Sequence, residues 1–449
     1  MSTQKSVTVI VPIKPSKVDD LRKHLLRLRN DTRSANGTQP DATSLKAIEA
    51  FQQLADTVHY FRWTILDESS VNGDLTPPQL VFTSNFDESP DSLLLRLIAD
   101  LYEPLVAIYD YCIDFPQRAS SSSDETVNTD LHVHKIFDYL KQNAVKSAAY
   151  YIGSPGRTVV DIKQQEGLRD FLRKHLNSHD FKGRSAREVH QSLRNAAQSA
   201  TGEDKQPLFP WLKKTSMPTR KWPYIVIPLL PILIGPAIIL AVAMLMWAIW
   251  LQLFHERRDR PITLMRSQLD EAHMATLETY EDYYFQNQFS QVLAVKPGWM
   301  RLVTLKFLLF VTNFLSRIHF VKGKLMGIPT IHFAKWIFID DNKRVFFSSN
   351  FDGSWQQYLC DFIDKCGKGL SAVFSNTQLF PKTWMLIFEG AYDEEHFLAW
   401  SRLTEIDTQV WYSAYPNLSI KNINNNGHIY AELMRDLDEN KAKAFLKRF

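Results

Sequence analysis

The sequence predicts an α+β chain: two tandem ferredoxin-like repeats separated by a membrane segment. Three observations carry this. Trp222 to Phe254 is uncharged and far more apolar than any other stretch, with the length and composition a bilayer-embedded segment needs. The sequence on its two sides repeats itself in order, the mark of a duplicated unit. The elements of each copy begin β-α-β-β-α-β, the ferredoxin-like order.

Totals set the outer limits. The chain has 449 residues, 45% of them hydrophobic. That is room for two or three domains with proper cores, and too little apolar sequence for a polytopic membrane protein. A net charge of +3 gives no electrostatic case for a nucleic-acid partner. Cys112, Cys360 and Cys366 match no zinc spacing and are too few for a disulfide framework. They read as small buried hydrophobes in a reducing compartment.

Taken in order, Val7 to Ile13 is a β-branched strand closed by Lys14-Pro15. Ser16 opens a helix with Asp19 at the capping-box position and Leu21, Leu25, Leu26 and Leu28 on its apolar side. A polar loop spans about Asn30 to Ser44, and a second helix Leu45 to Ala55. His59 to Asp67 is an aromatic and β-branched strand, and Leu80 to Phe86 the next. Ser92 to Tyr102 reads as helix and Val106 to Ile113 as strand. A Ser-rich acidic loop at 120–130 precedes a helix at Val133 to Gln142, a strand at Ala148 to Ile152 and a helix near Gln164 to Leu176.

From Gln291 the first pattern returns. Val295-Lys296-Pro297 echoes Ile13-Lys14-Pro15, and Ile331-His332-Phe-Ala-Lys335-Trp336 echoes Val58-His59-Tyr-Phe-Arg62-Trp63. Phe347-Ser-Ser-Asn350-Phe-Asp352 echoes Phe82-Thr-Ser-Asn-Phe-Asp87. Phe380-Pro381 echoes Phe115-Pro116, and Trp411-Tyr412 echoes Tyr150-Tyr151. The offset falls from 282 (Ile13 to Val295) to 261 (Tyr150 to Trp411), as longer loops in the first copy require. The expected organisation is repeat 1 at 1–180, a linker at 181–221, the membrane segment at 222–254, a connecting helix at 255–285 and repeat 2 at 286–449.

A ferredoxin-like sheet has one open face that must pack on something. The simplest partner is the other copy, giving a closed unit of the dimeric α/β-barrel type; a homodimer is the alternative. His59, Phe61, Trp63 and Ile65 alternate onto one face, matched by His332, Ala334, Trp336 and Phe338, while Arg62 and Lys335 point the other way. Both faces are mostly apolar, so this strand is central.

The apolar segment has two topologies. Ala237 to Phe254 is long enough for a single span, with Pro228, Pro231 and Pro236 kinking its start. The other is a re-entrant hairpin turning at Gly235-Pro236. Both flanks are basic: Lys213, Lys214, Arg220 and Lys221 before, Arg257, Arg258 and Arg260 after. Because Lys and Arg stay cytoplasmic, and because paired copies must share a side, the hairpin is favoured, with both domains facing the cytoplasm. Leu302 to Phe320 is a second amphipathic candidate, wide and apolar with Lys306, Asn313 and Arg317 on a narrow stripe, suited to an interface or to a core.

His59 and His332 are the leading catalytic candidates, because they recur with their neighbours and histidine is a metal ligand and a base near neutral pH. His332 is the metal candidate. Asp87 and Asp352 at strand ends are candidate acid–base groups or helix N-caps. Arg62 and Lys335 suit an anionic group, and Trp336 and Asn350 complete the candidate cofactor contacts. Asn422 to His428, four amides and a histidine, reads as a turn or a ligand loop. There is no phosphate-binding glycine loop, nucleophile elbow or HExxH helix.

Gly327-Ile-Pro-Thr-Ile-His332-Phe, Asn350-Phe-Asp-Gly-Ser-Trp355 and Trp411-Tyr-Ser-Ala-Tyr-Pro416 resemble motifs of a poorly characterised group of bacterial membrane-associated proteins, most strongly over about 286 to 430. At fold level the duplication is similar to the dimeric α/β-barrel superfamily, which includes dye-decolourising peroxidases and chlorite dismutases. That resemblance implies haem bound near a proximal histidine. The peroxidase Gly-x-x-Asp-Gly motif keeps only Asp352-Gly353 here, in the second copy. The expected function is a membrane-anchored protein acting on or binding a hydrophobic or lipid-derived molecule, as a haem-dependent peroxidase-like oxidoreductase. The alternatives are a non-enzymatic membrane scaffold or lipid-binding module, and a cofactorless monooxygenase.

Overall fold

The computed structural model describes residues 4–29, 49–117, 125–202, 204–212, 230–279, 281–282, 285–318, 325 and 327–449. The expected polar loop from Asn30, the start of the Ser-rich loop, the basic flank from Lys213 and Trp222 to Leu229 lie outside them. The chain is α+β with antiparallel sheets. It divides into two compact units, 1–159 with 252–420, and 160–251 with 421–449.

The strands, all in the first unit, are β1 (Lys5–Pro12), β2 (Val58–Leu66), β3 (Ser69–Val71), β4 (Asp74–Thr76), β5 (Gln79–Phe86), β6 (Ala149–Ile152), β7 (Gln286–Ala294), β8 (Ile331–Ile339), β9 (Arg344–Asp352), β10 (Thr383–Trp384), β11 (Phe388–Glu389) and β12 (Val410–Ser413). The helices are α1 (Val18–Leu28), α2 (Pro90–Asp100), α3 (Tyr102–Tyr109), α4 (Glu125–Gln142), α5 (Val159–Ser178), α6 (Ala186–Ser199), α7 (Leu230–Phe254), α8 (Glu271–Glu278), α9 (Trp299–Ile318), α10 (Trp355–Phe374), α11 (Glu394–Thr404), α12 (Ile420–Leu433) and α13 (Glu439–Leu446).

Two four-stranded sheets run β1-β5-β2-β12 and β7-β9-β8-β6. Each is completed by a strand from across the apolar stretch. β12 pairs with β2, Val410 opposite Trp63 and Trp411 opposite Arg62. β6 pairs with β8, Ala149 opposite Trp336 and Ile152 opposite Phe333. β2 is buried at all nine positions, as its β-branched and aromatic composition requires of a strand covered on both faces. On one side of the first sheet Val9, Trp63 and Phe82 pack with Leu21 and Leu25 of α1 and Leu93 and Leu97 of α2. On one side of the second, Phe289, Trp336 and Phe347 pack with Leu305 and Leu309 of α9, Tyr358 of α10 and Trp400 of α11. The other faces meet, with Leu66 and Val81 against Ile337, Ile339 and Phe346.

The second unit is helical. Leu168 and Leu172 of α5, Leu193 of α6, Ile429 and Leu433 of α12 and Phe445 of α13 form its core. Ser185 and Glu188 close a capping box at the start of α6, in the stretch expected to be a linker.

Several local expectations are corrected. Val106 to Ile113 is not a strand, because α3 runs to Tyr109 with Leu105, Ile108 and Tyr109 buried at helical spacing. Asn422 to His428 is not a turn but lies inside α12. Ile420, Ile423 and Ile429 are buried there, and that stripe overrides the weak helix propensity of asparagine. Of the expected helix at 262–285, α8 is the α-helical part, capped by Asp270 accepting from His273 N. α7 continues through Gly235 and Pro236, so the chain does not turn there. Pro231 sits in the first helical turn, where its missing N–H costs nothing.

Gly153 N donates to His332 O at 2.7 Å where β6 meets β8. A Cβ on Gly153 would lie 2.1 Å from Ile331 O. Gly153→Ala is therefore expected to destabilise the fold by about 1–3 kcal/mol or more, read as a lower urea midpoint. Ala414, which follows Trp411-Tyr412 as Gly153 follows Tyr150-Tyr151, makes the same bond to His59 O at 3.0 Å with its methyl in place. Tolerance of Gly153→Ala would show that β6 does not sit this close.

Candidate functional site

Both recurring histidines stand at a break in strand register, between Val58 and Tyr60 in β2 and between Ile331 and Phe333 in β8. Such irregularities re-aim a side chain. His59 Nε2 lies 3.0 Å from Asp87 Oδ1, and Asp87 Oδ2 accepts from Val159 N at 2.7 Å. His332 Nε2 lies 2.7 Å from Asp352 Oδ1, and Asp352 Oδ2 accepts from Ile420 N at 2.8 Å. Each carboxylate thus joins a buried imidazole to the first N–H of a helix, where a negative charge is favoured. Neither aspartate caps the helix that follows it in sequence. Ser89 and Ser354 do that, accepting from Ser92 N and Gln357 N.

The two histidines belong to one aromatic cluster. Tyr60 lies 5.6 Å from the His332 ring and 5.5 Å from Tyr415, and Tyr415 lies 5.8 Å from His59 and 6.2 Å from His332. His59 Nδ1 is hydrogen-bonded to Tyr415 OH at 2.7 Å. Ser154, which follows Tyr150-Tyr151 as Tyr415 follows Trp411-Tyr412, is buried, and His332 Nδ1 has no hydrogen-bond partner among the described residues. Burial pushes both phenols well above their usual pKa, so they stay protonated donors. Of the four ring nitrogens, one is left for a haem iron. His59 spends both nitrogens on protein groups, and His332 spends Nε2 on Asp352 and keeps Nδ1. Among the described residues no group of three or more His, Cys, Asp and Glu is placed to hold a metal ion.

Arg62 and Lys335 project between the sheets. Arg62 Nη1 donates to Gln288 Oε1, Phe289 O and Ser290 Oγ at 3.1, 2.8 and 2.9 Å, and Nη2 to Ser349 O and Asn350 Oδ1 at 2.9 and 2.5 Å. Trp411 Nε1 donates to the same Asn350 oxygen at 2.9 Å. Lys335 Nζ donates to Ser84 O at 3.1 Å. No carboxylate bonds to either cation among the described residues. Burial pulls Arg62 down to about 9, which leaves it charged at neutral pH. Burial, then Arg62, push Lys335 well below its usual value. Asn350 joins this group. Trp336 does not, since it packs on Phe347 at 4.8 Å in the helix-side core.

Sequence reasoning missed a cleft of about 490 Å³ whose floor includes Ile65, Leu66, Val292 and Ile406, with Arg22, His273, Arg344 and Glu405 on its walls. Its size and apolar floor suit a small ligand. Glu405 is buried and bonded to Arg402 Nη1 at 3.0 Å. Arg402 also holds Glu281 and covers the Trp355 ring at 3.6 Å. Burial pushes the Glu405 carboxyl up to about 8 against the pull of Arg402, the setting of a proton donor at neutral pH. The Arg402–Glu405 spacing of three was visible in the sequence; the burial that shifts the acid was not.

A carboxyl whose folded pKa is raised contributes stability at low pH that is lost as pH climbs toward the folded value. Melting temperature is therefore expected to fall between about pH 5 and 8, by the equivalent of a few kcal/mol, and Glu405→Gln is expected to flatten that slope. An unchanged slope in the variant would assign the titration elsewhere. In comparisons with family models, with curated proteins and with solved structures, nothing matches this chain.

Proposed function

We propose that this chain is a membrane-attached protein in which two ferredoxin-like copies close into one barrel of the dimeric α/β type and hold a hydrophobic or lipid-derived molecule. The observation that carries the reading is α7. Residues 241–246 are exposed one after another, more than a full helical turn, and Ile249, Trp250, Leu253 and Phe254 beyond them are exposed as well. Soluble surfaces rarely leave so much contiguous apolar area uncovered, and 25 residues of helix reach about 37 Å at 1.5 Å per residue. The duplication is supported by the matching strand orders and the two His–Asp–helix arrangements. The exchanged strands support both copies lying on one side of the bilayer, since β6 pairs with β8 and β12 with β2 across the apolar stretch. The molecule held would enter the cleft beside Leu66 and Ile406.

The test is fractionation. The full chain is expected to sediment with membranes and to resist alkaline carbonate, and Met246→Lys with Ile249→Lys to release it. A wild-type protein found in the supernatant would remove the reading.

An enzymatic reading is favoured by one observation, the buried Glu405 bonded to Arg402 on the cleft wall. Glu405 would give a proton to, or take one from, a polar atom of the bound molecule. The oxidoreductase version rests on fold resemblance and predicts a Soret band lost in His332→Ala.

A further inference from the structure

We infer that α9 is a second membrane contact: it lies flat on an anionic lipid surface, beside the end of α7. The inference rests on the membrane reading above and adds the surface that orients the barrel. α9 is long and apolar enough to cross a bilayer by composition. Its packing argues for lying flat: Leu305 and Leu309 belong to the core of the second sheet, and both its ends connect to strands of the same unit. The opposite side carries Trp299, Val303, Phe307, Phe310 and Phe314, all exposed, Trp299 by 68% and Phe310 by 64%. They recur at steps of four, four, three and four, which stacks them on one side of the helix.

Four hydrogen bonds tie the start of α9 and the β10–β11 hairpin to the segment at the end of α7. Asp259 Oδ2 accepts from Lys296 Nζ at 2.7 Å and from Arg301 Nη2 at 2.6 Å, fixing the start of α9. Gln252 Oε1 accepts from Met385 N at 2.8 Å and Glu256 Oε1 from Leu386 N at 2.9 Å, fixing the β10–β11 hairpin to the same corner. That hairpin exposes Trp384 and Phe388. The apolar helix therefore ends among exposed tryptophans, the residues that sit at headgroup level.

Charge names the partner. Arg257, Arg258, Arg260, Lys306, Arg317 and Lys382 are exposed around this surface, with Glu389 the exposed acid of the hairpin. Phenylalanines on one side of a helix with cations at its margin fit an anionic interface. A protein partner would more often find a polar rim of both signs.

The experiment uses the full chain with Cys360→Ser, since Cys112 and Cys366 are buried and Cys360 is the partly exposed thiol. An environment-sensitive dye is placed at Phe310→Cys, at Met246→Cys, or at Leu75→Cys on the exposed β3–β4 hairpin. With phosphatidylglycerol vesicles, the Phe310 and Met246 dyes are expected to shift to the blue and lose access to an aqueous quencher, and the Leu75 dye to stay wet. Raising salt or using phosphatidylcholine alone should weaken the Phe310 shift more than the Met246 shift. A wet Phe310 dye beside a protected Met246 dye overturns the α9 contact and leaves the membrane reading standing. Two wet dyes remove both. Protection of Phe310 without lipid, together with a doubled mass in solution, replaces the bilayer with a second copy.

Discussion

Produced as two separate chains, residues 1–221 and 255–449 are expected not to fold, and to regain the native fold when produced together. Alone, the first piece lacks β12, so the edge of β2 from Tyr60 to Trp63 is left open. Its β6, a four-residue strand, has lost β8. All five acceptors of Arg62 lie in the second piece, between Gln288 and Asn350. A buried charge stripped of its partners costs several kcal/mol, comparable to the whole stability of a domain. The second piece loses the mirror set, β6 for β8 and Ser84 for Lys335. Each piece should show no cooperative thermal transition and be digested rapidly, while the co-produced pair resists protease and melts once. A cooperative melt from either piece alone would mean that the exchanged strands do not hold the sheets together.

The parts of this arrangement that were legible in the sequence are those written in side-chain chemistry. β2 and β8 announce themselves through aromatic and β-branched residues, and recurrence singles out His59, His332, Asp87 and Asp352 one by one, while their pairing is seen only in the structure. The exchange of β6 and β12 was not legible, because four-residue strands carry no register signal of their own. The face of the histidines was misread for a related reason: alternation assumes an unbroken strand, and the register breaks beside both. A short apolar run such as Val106 to Ile113 fits helix and strand equally, and only its packing decides. Glu405 illustrates a third limit, since its shifted proton affinity comes from a cleft built by segments far apart in the chain.

Arg62→Leu and Lys335→Met are expected to differ sharply, although each residue stands three after its histidine, His59 or His332. Arg62 satisfies five acceptors, two of them main-chain carbonyls. Leucine removes a donor from all five; Gln288 Oε1, Ser290 Oγ and Asn350 Oδ1 keep partners in Thr408 and Trp411, so the loss falls mainly on the carbonyls of Phe289 and Ser349, and each orphan costs about 1–3 kcal/mol before relaxation and water entry. The loss in unfolding free energy should reach about 3–5 kcal/mol. Lys335 makes one hydrogen bond, to Ser84 O, and its amine is pushed toward the neutral form by burial and by Arg62. Methionine keeps the volume, removes a group that is unfavourable when charged and orphans one carbonyl, so the change should stay within about 1 kcal/mol. The pH dependence separates the two further. A lysine whose folded pKa is depressed contributes stability that is present above its usual value near 10.5 and is lost as pH falls toward the folded value. The wild type should therefore gain on Lys335→Met as pH rises toward 10.5, with the variant at its relative best at neutral pH. Urea titrations of both variants at pH 7 and pH 10 read this directly. A Lys335→Met cost equal to that of Arg62→Leu would mean that Lys335 is charged and paired in the folded protein, with an anion supplied from outside the chain.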